Sequence, residues 1–274
     1  MDGNQKCVLS VYAIKEPLTQ FVGSLILSFF NFIVLSISAK HSNIELYPFM
    51  YCVLMFILIK CFPFKDNCCF NPNITIASLI TLKKKLPISL FILFMQFFGN
   101  FIGIAFAYFL SETNSTTNNK LIGQEYNEFF SLYIINERTP RSILLWMEGF
   151  SIFILVLTSL TNERGKATYV ALSQFILSYI SFIFYYNNNL GNIFMHLNTA
   201  IITTLFTQIP IPFKMFYIHL CAFLIGVISG SIGYYMLRWE ASDNDDNENK
   251  NRLQLRRGDD KNFDVESNVN HKNI

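Results

Sequence analysis

Two asparagine-centred segments hold the residue types best suited to act on a polar solute. In Asn71-Pro72-Asn73, followed by Ile74-Thr75-Ile76-Ala77, the spacing predicts a short helix with a start of its own. Pro72 suits the first helical position, whose N–H would be unpaired anyway, and Asn71 before it is a good N-cap. Leu197-Asn198-Thr199-Ala200, followed by Ile201-Ile202, is the candidate counterpart. Both segments lie among long apolar runs. A helix that starts inside a membrane turns unpaired N–H groups and a positive dipole end toward whatever it faces. That is chemistry for binding a polar molecule, and it needs no covalent step.

Other groups with chemical potential are few. Glu148 is the one acidic residue well inside an apolar run, and a charge there is costly and usually faces the bundle interior with partners. A proton relay needs more than one titratable group along a path, and no second carboxylate stands near. The expected role of Glu148 is to hold the backbone of a neighbouring re-entrant segment. His219 stands isolated in the last apolar run and reads as a packing histidine. Cys7, Cys52, Cys61, Cys68, Cys69 and Cys221 lack metal-ligand spacing. Adjacent cysteines such as Cys68-Cys69 rarely chelate one ion together, so small apolar packing residues are expected. Membrane-embedded catalysis needs clustered His, Asp, Glu or Cys at a common depth. The chain is therefore expected not to be an enzyme, with no catalytic residue, cofactor or metal, and an ion-coupled carrier is disfavoured by the lack of paired intramembrane charges.

The elements that must position these residues are apolar blocks. Of 274 residues, 52% are hydrophobic, 29 are Phe and only 15% are charged, which is too apolar for an ordinary soluble domain. Near-uncharged runs lie at 21–39, 46–59, 86–110, 143–160, 167–186 and 215–237. At about 20 residues per crossing, most are long enough to traverse a bilayer as helices, which predicts an all-α integral membrane protein with six spans. The second run is shorter. The first is too long for a signal-peptide core and is expected to stay as an anchor.

Basic residues in short loops fix orientation. Lys83-Lys84-Lys85, Arg164 with Lys166, and Arg238 fall on one face under six crossings, so that face, with both termini, is expected to be cytoplasmic. The segment 111–141 then lies opposite and holds Asn114-Ser115-Thr116, an N-glycosylation pattern that Asn73-Ile74-Thr75 also matches. Residues 1–16 are expected as a cytoplasmic N-terminus. Residues 239–274, acidic and then basic without apolar periodicity, are expected as a disordered cytoplasmic tail.

The spans also repeat. Gln20 lies 51 positions before Asn71, and Glu148 lies 50 before Asn198. Each half, about 17–110 and 142–238, reads as span, span, half-helix, span, and an odd number of crossings inverts the second copy. Gly99-x-x-x-Gly103 and Gly226-x-x-x-Gly230 supply small-residue faces for close packing at matching places in the two halves.

Across most of residues 17–238 these features resemble the aquaporin family, the major intrinsic proteins. Phe70-Asn71-Pro72-Asn73-Ile74-Thr75-Ile76-Ala77 is similar to that family's first Asn-Pro-Ala box with its trailing helix, with Asn73 in place of alanine. Gln96-Phe97-Phe98-Gly99 resembles the start of its third span. Glu148 matches its fourth-span glutamate, and Gln20 stands where the first-span glutamate is usual. The second box keeps Asn198 and Ala200 but has Thr199 for proline. The resemblance implies six spans and two half-helices meeting at the bilayer centre, with one pore per subunit of a homotetramer. It also implies a passive channel for water or small neutral solutes of the glycerol, urea, ammonia or peroxide class, with a bilayer and no nucleic acid as partner. Asn71 and Asn198 would each donate a side-chain N–H into the pore, and the facing positive helix ends would oppose cations. Counting from the boxes places the selectivity filter at Tyr51, Tyr186, Met195 and Ile201. Ile201 stands where the family usually has arginine, so the filter lacks a fixed cation. His196, beside the second box, is a further candidate to line the pore as a pH-sensitive element. The alternative reading is a non-conducting relative with a structural or adhesive role.

Overall fold

Apolar runs with nothing polar to bond outward fold as helices, because in hydrocarbon each backbone N–H must find its partner within its own segment. The computed structural model describes residues 3–40, 46–62, 70–115, 140–161, 166–185, 192–207 and 216–238, and regular structure there is helical throughout. The helices are α1 (Gly3–Lys40), α2 (Leu46–Cys61), α3 (Pro72–Ile80), α4 (Leu86–Ser115), α5 (Arg141–Thr161), α6 (Lys166–Tyr185), α7 (Ile193–Thr207) and α8 (Phe216–Arg238). The predicted tail at 239–274, Tyr186, Cys68-Cys69 and Arg164 lie outside the described residues.

Four of these helices contain stretches long and apolar enough to cross a membrane: Ile14–Val34, Leu86–Leu110, Arg141–Thr161 and Phe216–Arg238. The apolar stretches of α2, α6 and α7 are shorter, at Tyr47–Cys61, Ala167–Ile176 and Ile193–Leu205. Four of the six expected runs thus meet the length of a crossing among the described residues. The second falls short because α2 has only 16 residues, about 24 Å at 1.5 Å per residue.

The distribution of side chains identifies the medium. Large apolar residues point outward on these long helices, among them Phe94, Phe106, Trp146, Phe150, Leu224 and Ile228. Polar residues point inward: Gln20, Ser24, Ser28 and Asn31 form one buried stripe along α1, facing Gln96 and Asn100 of α4. A surface this apolar over a polar-seamed interior faces hydrocarbon. The protein is a multi-pass, all-α membrane protein in contact with lipid.

Close helix approach is built on glycine. A Cβ on Gly99 would lie 2.4 Å from the Phe21 carbonyl oxygen, and one on Gly103 2.4 Å from that of Leu25, so α1 and α4 touch backbone to backbone. A Cβ on Gly226 would meet Ile152 Cβ at 2.5 Å, and one on Gly230 would meet Val156 Cγ1 at 2.7 Å, so α8 lies equally close on α5. The two Gly-x-x-x-Gly motifs therefore seat α4 on α1 and α8 on α5. α3 packs on α4 and α5, α7 on α4, and α6 on α2 and α5.

The chain divides into two compact units, 1–231 and 232–274. The site described below lies wholly in the first. The described part of the second is the end of α8, where the Arg238 guanidinium donates to the Tyr234 hydroxyl at 3.2 Å.

Candidate functional site

α3 is short because both of its ends are capped. Asn71 is extended (φ −128°, ψ 121°), its Oδ1 accepts from the Asn73 N–H at 3.0 Å, and Pro72 takes the first helical position. The other end closes in a Schellman arrangement: the Leu82 N–H donates to Leu79 O at 3.0 Å and the Lys83 N–H to Ser78 O at 2.9 Å. Leu82 adopts φ 56° to do so, a left-handed conformation that usually selects glycine. At nine residues α3 is about 14 Å long. Pro72, Asn73, Ile74, Thr75, Ala77 and Ser78 are all buried.

Side chains hold that helix in place. The Gln96 amide donates to Gln20 Oε1 at 2.7 Å and lies 3.2 Å from Thr75 Oγ1, so α1, α4 and α3 share one polar contact. Thr75 Oγ1 also reaches back to Asn71 O at 3.4 Å. Before the helix, Phe70 is left-handed (φ 51°) and lays its ring where a Cβ on Gly23 would be 2.0 Å away, so only glycine at 23 accommodates it. The Lys83 ammonium donates to Leu160 O at 2.8 Å, in the last turn of α5, where a cation complements the helix dipole.

The second segment departs from expectation. α7 does not begin at Asn198. It begins at Ile193, where Asn192 Oδ1 accepts from the N–H groups of Phe194 and Met195, each at 3.2 Å. The cause is local. Thr199 keeps the N–H that proline lacks and has no ring to clash with residue 195, so the helix runs through it. Its hydroxyl donates back to Met195 O at 2.7 Å, and the Thr203 hydroxyl donates to Thr199 O at 2.6 Å. Asn198, Thr199 and Ala200 are thus buried interior residues of α7. One N–H of the Asn198 amide is donated to Phe97 O of α4 at 2.9 Å.

Of the expected filter residues, Tyr51 and Met195 share one buried cluster with Tyr47, Leu155 and Ile202, while Ile201 is half-buried. Asn31 bridges this region, accepting from the Tyr47 hydroxyl and directing its amide at Met195 Sδ, 3.8 Å away.

Glu148 and His219 also correct the sequence reading. Both Glu148 oxygens face imidazole nitrogens rather than backbone: Oε2 lies 2.5 Å from His219 Nδ1, and Oε1 lies 3.2 Å from His196 Nε2. His219 is therefore not isolated. The two rings are stacked, with centroids 3.7 Å apart and planes 15° from parallel. Sequence reasoning missed this cluster because 71 residues separate His219 from Glu148, although titratable groups inside apolar spans were its available signal.

No known protein-family model matches the chain, and a search of curated proteins finds no match.

Proposed function

We propose that the chain is a passive transmembrane channel of the aquaporin type, admitting water or small neutral solutes. The observation that carries this reading is α3. It is a buried helix too short to cross hydrocarbon, started by an asparagine–proline pair and enclosed among helices that are long enough. Short helices of this kind inside membrane bundles present their positive ends to polar solutes. In this reading α1, α2, α4, α5, α6 and α8 cross the bilayer, and α3 and α7 enter it as half-helices. Residues 17–238 form the channel domain, both termini are cytoplasmic, and four copies assemble around one axis with a pore in each. The matched glycine contacts of α1 with α4 and of α5 with α8 support the two-halves plan.

Stopped-flow light scattering on proteoliposomes tests it. Osmotic water or solute flux clearly above that of protein-free vesicles is expected for at least one of water, glycerol, urea, ammonia and peroxide. Background rates for all five would overturn the reading.

One observation favours a second reading, a non-conducting structural or adhesive relative. The Asn198 amide is engaged by Phe97 O, and Tyr51 and Met195 sit in an apolar cluster of the kind that excludes water from a constriction. The double replacement Ile201→Arg and Thr199→Pro separates the two. Flux whose selectivity changes supports a channel with an altered filter, whereas background flux in parent and variant alike supports the closed form.

A further inference from the structure

We propose that Glu148, His196 and His219 form a binding site for a divalent transition metal ion of the zinc class. The three side chains come from three different helices, α5, α7 and α8, and converge so that their ligand atoms all lie within 4.8 Å of one another. They are 1%, 8% and 5% exposed, respectively. Two imidazoles and one carboxylate are a donor set of intermediate softness, suited to zinc, cobalt or nickel rather than to magnesium or calcium, which prefer all-oxygen shells. Three protein ligands leave a fourth position for water, as in open zinc sites.

The burial of these groups makes the case stronger than their mere proximity. A carboxylate so far from water needs compensating positive charge, and a dication supplies it without relying on protonation of either ring. Bonds of about 2.0–2.2 Å at tetrahedral angles hold ligand atoms about 3.4 Å apart, so ligand atoms now within 4.8 Å of one another must close by up to about 1.4 Å.

The geometry also sets the movement required. An ion lies in the plane of each imidazole that binds it, so two stacked rings cannot both direct a lone pair at one centre. One ring must turn about χ2, a broad torsion for histidine. The stack with 3.7 Å between centroids would then open. Each ring binds through a bare nitrogen and carries its proton on the other, so binding at neutral pH releases any further proton to solvent.

The test uses the full chain in detergent, free of any polyhistidine tag, stripped with a chelator and titrated with Co2+ and then Zn2+. One Co2+ per chain is expected, with the visible absorption of a four- or five-coordinate nitrogen–oxygen site, displaced by Zn2+ and accompanied by a rise in Tm. His196→Ala and His219→Ala should each weaken binding by more than about tenfold, since loss of even the partners that orient metal ligands costs that much. His219→Cys guards against variants that misfold: it should retain Co2+ and add a sulfur-to-cobalt charge-transfer band. Absence of saturable binding by the folded parent would overturn the proposal. So would binding undiminished in both alanine variants, or a cysteine variant that binds Co2+ without the new band.

Discussion

Asn192 caps the helix in which Asn198 is an interior residue. Its Oδ1 takes the N–H groups of Phe194 and Met195, while Asn198, six positions on, spends its amide on Phe97 O. At the other short helix the same job is done by Asn71, with Pro72 immediately behind it. The difference between the two helices comes down to one residue, Thr199, which allows the chain to continue where proline would have forced a start.

That contrast predicts the outcome of Thr199→Pro. Proline at 199 removes an N–H and clashes with the carbonyl at 195, a penalty of about 3 kcal/mol in a helix interior. The chain can relieve it by restarting at Asn198, which recovers a cap worth about 1 kcal/mol. Hydrogen exchange should therefore show loss of protection over 193–198 with retention over 201–207. Protection unchanged across 193–198 would mean that Thr199 does not set the helix start.

Leu82 gives a prediction of the opposite sign. It occupies the left-handed position of the cap that ends α3, at φ 56°, and its side chain is 84% exposed. A left-handed backbone costs a residue with a Cβ about 1–2 kcal/mol, and little packing is lost by truncation here. Leu82→Gly should stabilise the protein by about 1 kcal/mol, offset slightly by the greater freedom of glycine in the unfolded chain. Thermal unfolding in detergent should show a higher Tm, and a fall would place hidden packing on Leu82.

What could be read in the sequence was what is local to it. The apolar runs, the Asn71–Pro72 start and the glycine spacings each depend on residues a few positions apart, and they correspond to α1, α4, α5 and α8, to the cap of α3 and to two helix contacts. The start of α7 is legible in principle, since Asn192 precedes an apolar stretch as a cap should, but Asn198, six residues further on, is more like Asn71 in its surroundings. The stripe of Gln20, Ser24, Ser28 and Asn31 also has helical spacing. Partnerships across the fold were not legible: nothing near His219 in the chain announces Glu148, and nothing near Gln20 announces Gln96.

The glycines of the helix contacts are not equivalent, and alanine distinguishes them. At Gly99 an added Cβ would lie 2.4 Å from a backbone oxygen that cannot step aside, so Gly99→Ala must push α1 and α4 apart. Overpacking of that kind costs about 1–3 kcal/mol. At Gly149 the nearest atom would be 3.6 Å away, an ordinary contact, and alanine gains about 1 kcal/mol of helix propensity. Gly149→Ala should therefore keep or raise the Tm while Gly99→Ala lowers it. Equal losses would mean that the helix contact at Gly149 is as tight as the one at Gly99.

The last prediction concerns the buried carboxylate. Glu148→Gln keeps the shape of the side chain but removes the charge that two imidazoles face at 2.5 and 3.2 Å. Losing a buried hydrogen bond to a charged acceptor costs about 1.5–3 kcal/mol. The loss should depend on the histidines. In a His219→Phe background most of the interaction is already gone, so Glu148→Gln should cost less there, with a coupling of about 0.5–3 kcal/mol in a double-mutant cycle. Denaturant unfolding of the four proteins in mixed micelles measures it. Additive losses would mean that Glu148 and His219 are neighbours without an energetic link.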